Sequence, residues 1–197
     1  KTALCLFSYG GIEGRTMDAL LDEVNLAVAA KKVLGYARVH DDALISRSRS
    51  KALSDFLKID FDTLVMVDHD IEWEPGMVMA LAEQADQRKC LMAGLYSLRA
   101  KGAGHAGRLT KRDQVVHPGA DERYDAEYLP GGFLAIPRVV AEEVLEHGTH
   151  THFGEDAQDF DNDDFPRYFN EQVTECIGLD GKPMYDFFRP IVVPSTI

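Results

Sequence analysis

One stretch near the middle of the chain constrains the fold more than any other. Four apolar residues, Leu64–Val67, are followed directly by Asp68 and Asp70, which stand one residue apart. A short apolar run of this kind predicts a strand that is buried on both faces. A Pro-Gly pair at 75–76 and an apolar pattern over 77–85 then indicate the start of a helix. The stretch therefore predicts a strand, a loop and a helix of an α/β protein.

The same alternation extends to both sides of this stretch. Strands are predicted at 3–7, 36–39, 64–67 and 90–95, and helices at 17–32, 43–58 and from 77. Strands that alternate with helices favour a mostly parallel central sheet with helices on its faces. With 197 residues and no internal repeat, the chain is expected to form a single α/β domain over 1–197.

The pattern changes after residue 95. Residues 96–125 are polar and Gly-rich, which suits a loop or an antiparallel excursion, and 128–136 is a further predicted strand. Pro137 is expected to open a helix that runs to about residue 146. Residues 148–164 are irregular and acidic, and the tail is expected to add a late pair of strands.

Composition excludes some classes of function. The net charge of −12 argues against non-specific nucleic-acid binding, which needs a positive surface. No apolar run approaches the roughly 20 residues that span a bilayer. The three cysteines, Cys5, Cys90 and Cys176, are odd in number and irregularly spaced, so a reducing, cytoplasmic location is expected.

Asp68 and Asp70 are the strongest candidates for a functional site. Ligands of open α/β sheets bind at the carboxyl ends of the strands, where this pair is predicted to lie. Two nearby carboxylates suit Mg²⁺ or Mn²⁺ carrying a diphosphate. The alternative is that both residues only shape the turn and the following helix, since Asp favours turns and helix caps.

Three further segments are candidates for contact with a ligand. Ser8 and Tyr9 open a loop after the first strand, where the backbone can approach a ligand and Tyr9 can stack on a base. Arg47 is four residues from Lys51 and hence on the same helix face, whereas Arg49 points elsewhere, and a guanidinium there can grip phosphate. A flexible connection and a solvated helix face are the respective alternatives.

Gly131, Gly132 and Phe133 form the third of these segments. Glycines at the entry to a strand would let a sugar lie against the backbone, although packing alone can also require them.

The acidic run over 155–164 resembles a calcium-binding loop only in part. Asp159, Asp161 and Asp163 match the first three ligand positions of an EF-hand. Asp164 stands where that loop needs Gly, and Asn170 stands where it needs a bidentate Glu. The run is therefore interpreted as a solvated loop and not as an EF-hand.

Four segments together carry a resemblance to a known family. They are Asp42–Arg49, Val67–Pro75, Met92–Tyr96 and Pro130–Ile136, and they lie within roughly residues 3 to 146. In this order they resemble the nucleotide-diphospho-sugar glycosyltransferases of the GT-A fold, in particular the small bacterial and phage glycosyltransferase-2-like group. The resemblance implies a GT-A-like domain that transfers a sugar from a UDP- or GDP-sugar to a glycan, lipid or protein acceptor.

The resemblance also implies roles for individual residues. Asp70 would ligate Mn²⁺ or Mg²⁺ on the donor diphosphate, and Asp68 would contact the metal or the ribose. Ser8 and Tyr9 would line the nucleoside pocket, and Arg47 would lie near the diphosphate. Gly131, Gly132 and Phe133, predicted above to contact the ligand, would border the acceptor side.

The sequence departs from this family in its catalytic base. The group usually has a Glu-Asp pair at the start of a late helix, after a segment like Tyr185–Pro190, and this sequence ends at Ile197 without one there. Glu155 and Asp156 form its only Glu-Asp pair, and they lie earlier. Either this pair substitutes, or the base lies beyond Ile197 in a truncated domain, or the protein is not an inverting transferase.

Other classes of function remain open at this stage. A haloacid-dehalogenase-type phosphatase also places Asp-x-Asp after a strand, with the first Asp as nucleophile, but normally on its first strand. A nucleotidyltransferase is faintly indicated by residues 10–15. A sugar-nucleotide-binding module without catalysis would explain the absent late pair.

Overall fold

A computed structural model describes residues 1–97, 104–110, 123–147, 149–153, 168–172, 175–177 and 183–185. Its helices are α1 (Gly14–Ala29), α2 (Ile45–Phe56), α3 (Met77–Arg88) and α4 (Arg138–His147). Its first strands are β1 (Thr2–Ser8), β2 (Leu34–His40), β3 (Thr63–Asp68), β4 (Met92–Ala93), β5 (Arg108–Leu109) and β6 (Ala126–Tyr128). The later strands are β7 (Phe133–Pro137), β8 (Thr149–Phe153), β9 (Tyr168–Gln172), β10 (Glu175–Ile177) and β11 (Pro183–Tyr185).

The central sheet has five strands in the order β2-β1-β3-β7-β4. β1 pairs in parallel with β2 and with β3, whereas β7 is antiparallel to both β3 and β4. The fold is therefore α/β, as predicted, but the expectation of a mostly parallel sheet is wrong, because the sheet is mixed. A buried strand has the same apolar pattern in either direction, so the pattern alone did not predict the reversal.

Helices cover both faces of this sheet. Alternate residues of β1 and β3 point to opposite sides, as strand geometry requires. Leu4, Leu6, Val65 and Val67 pack with α1 and α3, and the intervening residues pack with α2 and α4. The core is thus divided into two layers by the sheet, and β3 is buried from both sides.

Helix α1 buries only part of the face that its apolar spacing predicts. That face comprises Leu20, Leu21, Val24, Ala27 and Val28; Leu20 and Ala27 are buried as predicted, whereas the other three are exposed. Glu23 is also fully buried, and its carboxylate accepts hydrogen bonds from the amides of Gly76 (2.7 Å) and Met79 (3.0 Å). A polar residue therefore shares the buried face of α1 with the apolar ones.

Arg138, at the start of α4, closes the end of α2. Its guanidinium donates to the backbone carbonyls of Phe56 (3.0 Å), Leu57 (3.3 Å) and Phe61 (2.8 Å), and to that of Ile59. A helix leaves its last carbonyls without partners, and a cation there is favourable. The contact joins α4 to α2 on one face of the sheet.

The remaining sequence predictions are refined by the structure. The predicted strand 128–136 is two strands, β6 and β7, separated by a turn at Gly131 and Gly132. The predicted strand 90–95 is reduced to β4. The expected late pair of strands is present as antiparallel β10 and β11.

Two further findings concern the helices and the cysteines of the described residues. No helix there is both long and apolar enough to cross a membrane. Cys5 and Cys90 are free thiols, and burial raises the pKa of Cys5 to about 12. Cys5 is thus a neutral thiol that packs as a small apolar side chain.

Candidate functional site

The carboxyl ends of β1 and β3 meet at a reversal of strand order. The chain proceeds from β1 to β2 on one side and then returns to β3 on the other side of β1. In open α/β sheets such a switch point leaves a crevice in which ligands bind. Asp68 is the last residue of β3, and Ser8 is the last residue of β1, so both lie at this point.

A cavity of about 200 Å³ opens here. It is lined by the ends of three strands and the start of α2. The lining residues are Phe7, Ser8, Tyr9, Val39, Asp42, Ala43, Ile45, Ser48, Asp68, His69 and Asp70. Four of the residues predicted from sequence to bind ligand or metal are therefore in one cavity.

Ser8 and Tyr9 have different environments in this cavity. Ser8 is buried, and its hydroxyl accepts a hydrogen bond from Arg38 Nε at 2.9 Å. Arg38 also donates to the carbonyl of Gly10, whose φ of +87° suits a residue without a side chain. Tyr9 is 71% exposed, so its ring is accessible for stacking.

The Asp68 carboxylate is held by Arg49, a residue of α2. Arg49 Nη2 lies 2.9 Å from Oδ1 and 3.2 Å from Oδ2 of Asp68. The guanidinium also lies over the ring of Phe7, 5.9 Å from its centroid. Both charged side chains are mostly buried, which strengthens their attraction relative to an ion pair in water.

Asp70 lies in the turn that follows β3. The amide of Ile71 donates to the carbonyl of Asp68 (3.2 Å), and the amide of His69 donates to the carbonyl of Phe7 (2.9 Å). These bonds fix the turn against β1 and place Asp70, which is half-buried, on the wall of the cavity.

The carboxylates fit one kind of metal site. Among the described residues, no three His, Cys, Asp or Glu side chains converge as a protein-only metal site would require. Mg²⁺ and Mn²⁺, however, are often held by one or two carboxylates together with water and substrate phosphates. The oxygen donors of Asp68 and Asp70 fit such a shared site, provided that Arg49 gives up its contact.

Arg47 is paired with Asp42, a residue that lines this cavity. Its Nε lies 2.9 Å from Oδ2 of Asp42 and its Nη2 lies 2.5 Å from Oδ1, which makes a bidentate ion pair. The hydrogen bond from Arg47 lowers the pKa of Asp42 from its usual value. Asp42 also accepts a bond from the amide of Leu44 (2.9 Å) at the start of α2. Arg47 therefore reaches the site through Asp42 and is not itself among the residues that line the cavity.

A side chain at Gly131 or Gly132 would displace a neighbouring side chain. A Cβ on Gly131 would lie 2.1 Å from Arg49 Nη1, and one on Gly132 would lie 2.5 Å from the hydroxyl of Tyr96. The amide of Gly132 donates to that hydroxyl at 3.1 Å, and burial raises the pKa of Tyr96. Phe133 is buried against Trp73, so it supports the site from the core.

A second, larger cavity lies beyond Gly131. Its volume is about 570 Å³, within the usual range of small-molecule pockets. The lining residues are Tyr96, His105, Ala106, Gly107, Arg108, Tyr128, Pro130 and Gly131. Gly131 touches Arg49, and Arg49 binds Asp68, so a chain of contacts joins the two cavities.

Glu155 and Asp156, the predicted catalytic pair, lie outside the described residues, as does the acidic run around them. Comparison of the chain with family models, with curated proteins and with solved structures found no match.

Sequence reasoning missed two residues of the site. Arg49 was expected to point away, but it is the arginine that reaches Asp68. Helical spacing separates Arg49 from Arg47 but does not tell which of the two faces the sheet. Tyr96 lies in the segment Met92–Tyr96, which carries part of the family resemblance. Its hydrogen bond with Gly132, however, joins residues that are 36 positions apart in the sequence.

Proposed function

We propose that this chain is a metal-dependent glycosyltransferase of the GT-A type. It would move a sugar from a nucleotide-diphosphate donor to an acceptor hydroxyl. The observation that carries the proposal is the convergence of Asp68 and Asp70 on a cavity at the switch point of the sheet. Sequence resemblance led to the same residues by a separate route.

The donor is assigned to the smaller cavity. Tyr9 is exposed at its edge and would stack on the base, and Ser8 would line the nucleoside pocket beside it. Asp68 and Asp70 would hold Mn²⁺ or Mg²⁺, which when bound neutralises charge on the diphosphate leaving group. The cavity is open to solvent, so a UDP- or GDP-sugar would extend from it towards Gly131.

The acceptor is assigned to the larger cavity. Tyr96 and Tyr128 offer aromatic surface, and Arg108 and His105 offer polar groups on the same wall. Gly131 forms part of this wall and also lies against Arg49, which binds Asp68. An acceptor in this cavity would therefore lie close to the Arg49–Asp68 pair. The acceptor would be a glycan, a lipid or a protein, and its hydroxyl would approach along Gly131 and Gly132.

The deprotonation of the acceptor requires a carboxylate or another base. Glu155 and Asp156 remain the proposed pair for this step on the grounds of sequence alone. A protein that binds donor without turnover would instead be a sugar-nucleotide-binding module. Cytoplasmic location likewise stays a prediction from cysteine usage.

Calorimetric titration tests the donor site. UDP and GDP are titrated with and without Mn²⁺ into the wild type, Asp70→Asn and Glu72→Gln. Glu72 is the matched control because it is an exposed carboxylate in the same loop. We expect metal-dependent binding of one nucleotide, weakened at least tenfold by Asp70→Asn and unchanged by Glu72→Gln.

Two results would contradict the proposal. One is the absence of binding by either nucleotide, and the other is equal binding by wild type and Asp70→Asn. Hydrolysis of phosphate esters that depends on Asp68 would favour the phosphatase instead.

A further inference from the structure

The guanidinium of Arg49 is enclosed by Phe7, Asp68 and Gly131, and these three residues are called its socket. Phe7 lies beneath the group, Asp68 binds one edge of it, and Gly131 lies against another edge. The side chain is only 15% exposed. Contacts from two strands and a turn therefore hold this cation in one place.

The socket depends on the absence of a side chain at Gly131. A Cβ there would lie 2.1 Å from Nη1 and 2.8 Å from the guanidinium carbon, so the group would have to move. The φ of Gly131 is not in the left-handed region, so the backbone does not require glycine at this position. The close approach of Arg49 is what requires it.

The guanidinium is not fully satisfied in this socket. Its Nε atom is buried and has no hydrogen-bond partner among the described residues. A buried donor without an acceptor is unfavourable. The position is thus set by the attraction of Asp68 and leaves a donor ready for another acceptor.

The same attraction conflicts with a metal at Asp68. Arg49 already contacts both carboxylate oxygens, and a divalent cation would need at least one of them. Two cations at one partly buried carboxylate repel each other more than they would in bulk water. Metal and guanidinium therefore compete for Asp68.

We propose that Arg49 is an internal counter-ion that keeps divalent metal from Asp68 until a nucleoside diphosphate arrives. This inference rests on the proposed function. The diphosphate gives the displaced guanidinium a new acceptor, for which Arg is well suited. Metal and nucleotide then bind with positive coupling, each raising the affinity for the other, as linkage requires. Arg49 is in this sense a positioning residue that couples metal binding to nucleotide binding.

The test measures binding of Mn²⁺ to the protein, with and without UDP or GDP, from the loss of the electron paramagnetic resonance signal of the free ion. The loss that the nucleotide causes in the absence of protein is subtracted. The proteins are wild type, Arg49→Met, Gly131→Ala and Lys51→Met. Lys51→Met is the matched control, because it removes one positive charge from the same helix at a side chain that contacts Asp55. Gly131→Ala keeps the positive charge of Arg49, but the added methyl group would displace the guanidinium from its present position.

We expect the wild type to bind Mn²⁺ at least tenfold more tightly when UDP or GDP is present. Arg49→Met and Gly131→Ala should each bind Mn²⁺ alone about tenfold more tightly than wild type, and Lys51→Met should not. In Arg49→Met the nucleotide should no longer strengthen metal binding to the same degree. Circular dichroism establishes that each variant is folded.

The inference is overturned if wild type binds Mn²⁺ equally well with and without nucleotide, a result that needs no variant. It is also overturned if the folded variants bind Mn²⁺ no more tightly than wild type. The proposed function itself fails in a different way. In that case Asp68→Asn and wild type would bind Mn²⁺ equally even when nucleotide is present.

Discussion

Two carboxylates, those of Asp68 and Glu23, lie at opposite ends of the loop 69–76 and have different kinds of hydrogen-bond partner. At its far end Glu23, fully buried, accepts bonds from the backbone amides of Gly76 and Met79. At its near end Asp68, partly exposed, is bound by the side chain of Arg49. The backbone amides at the start of α3 are fixed in position by the helix. The guanidinium of Arg49, in contrast, is at the end of a flexible side chain and can move to another acceptor. Glu23 therefore stabilises the fold, whereas Asp68 is available to bind a ligand.

The largest effect is expected when this comparison is tested by stability. Glu23→Ala leaves two buried amides without acceptors, and we expect it to lower the free energy of unfolding by about 3–5 kcal/mol. Asp68→Asn keeps one oxygen for Arg49 but loses the charge, and it should cost less, about 1–2 kcal/mol. Urea denaturation followed by circular dichroism measures both. Equal losses for the two variants would refute the distinction.

Arg138 extends the comparison to a cation bound by backbone. Arg138→Met removes a guanidinium that bonds four carbonyls at the end of α2, with an expected loss of about 2–3 kcal/mol. Lys58→Met removes an exposed cation near the same helix end and should change stability by less than about 0.5 kcal/mol. Thermal unfolding of both variants checks the difference, and similar melting temperatures would contradict it.

Asp42 offers a test by pH. Arg47 lowers the pKa of Asp42 below 3.8, so the pair stabilises the fold above about pH 4 and loses this effect as the pH falls through the lowered pKa. Asp42→Asn should cost about 1 kcal/mol at pH 7 and progressively less in acid. Asp41→Asn, at an exposed neighbour, is the control. A cost for Asp42→Asn that does not change with pH would rule out the ion pair as its cause.

The smallest effect is expected at Tyr96. Tyr96→Phe removes the oxygen that accepts from the amide of Gly132, and we expect a loss of about 0.5–1 kcal/mol. Tyr36→Phe, on the exposed edge strand β2, should be neutral. Chemical denaturation distinguishes them, and a neutral Tyr96→Phe would mean that the bond does not hold the turn at Gly132.

Much of this fold follows from local pattern. The buried strands β1 and β3 and the helices α2, α3 and α4 lie within a few residues of their predicted bounds, because apolar periodicity reports burial directly. The buried face of α1 followed only in part, since Leu20 and Ala27 are buried as predicted but Glu23 joins them by binding amides more than fifty residues away. Local pattern therefore finds elements more reliably than it finds how they face one another.

The candidate site was predictable in a similar, partial way. Asp68 and Asp70 were placed at the right edge of the sheet, since a strand end is visible in the sequence. Arg49 was assigned to the wrong side because its position depends on space left by Gly131, far along the chain. Direction of the β7 strand was likewise hidden, because a buried strand looks alike in both directions.

The pairing of β3 with β7 has a consequence for synthesis of the chain on the ribosome. β3 obtains its second neighbour only when Val67 meets Phe133 and Thr63 meets Pro137. Until residue 137 has emerged, an apolar strand has one open edge, and such edges recruit other chains. Contacts so distant in sequence also form slowly. Nascent chains that stall between residues 68 and 133 should therefore depend on chaperones, and fragments cut there should aggregate.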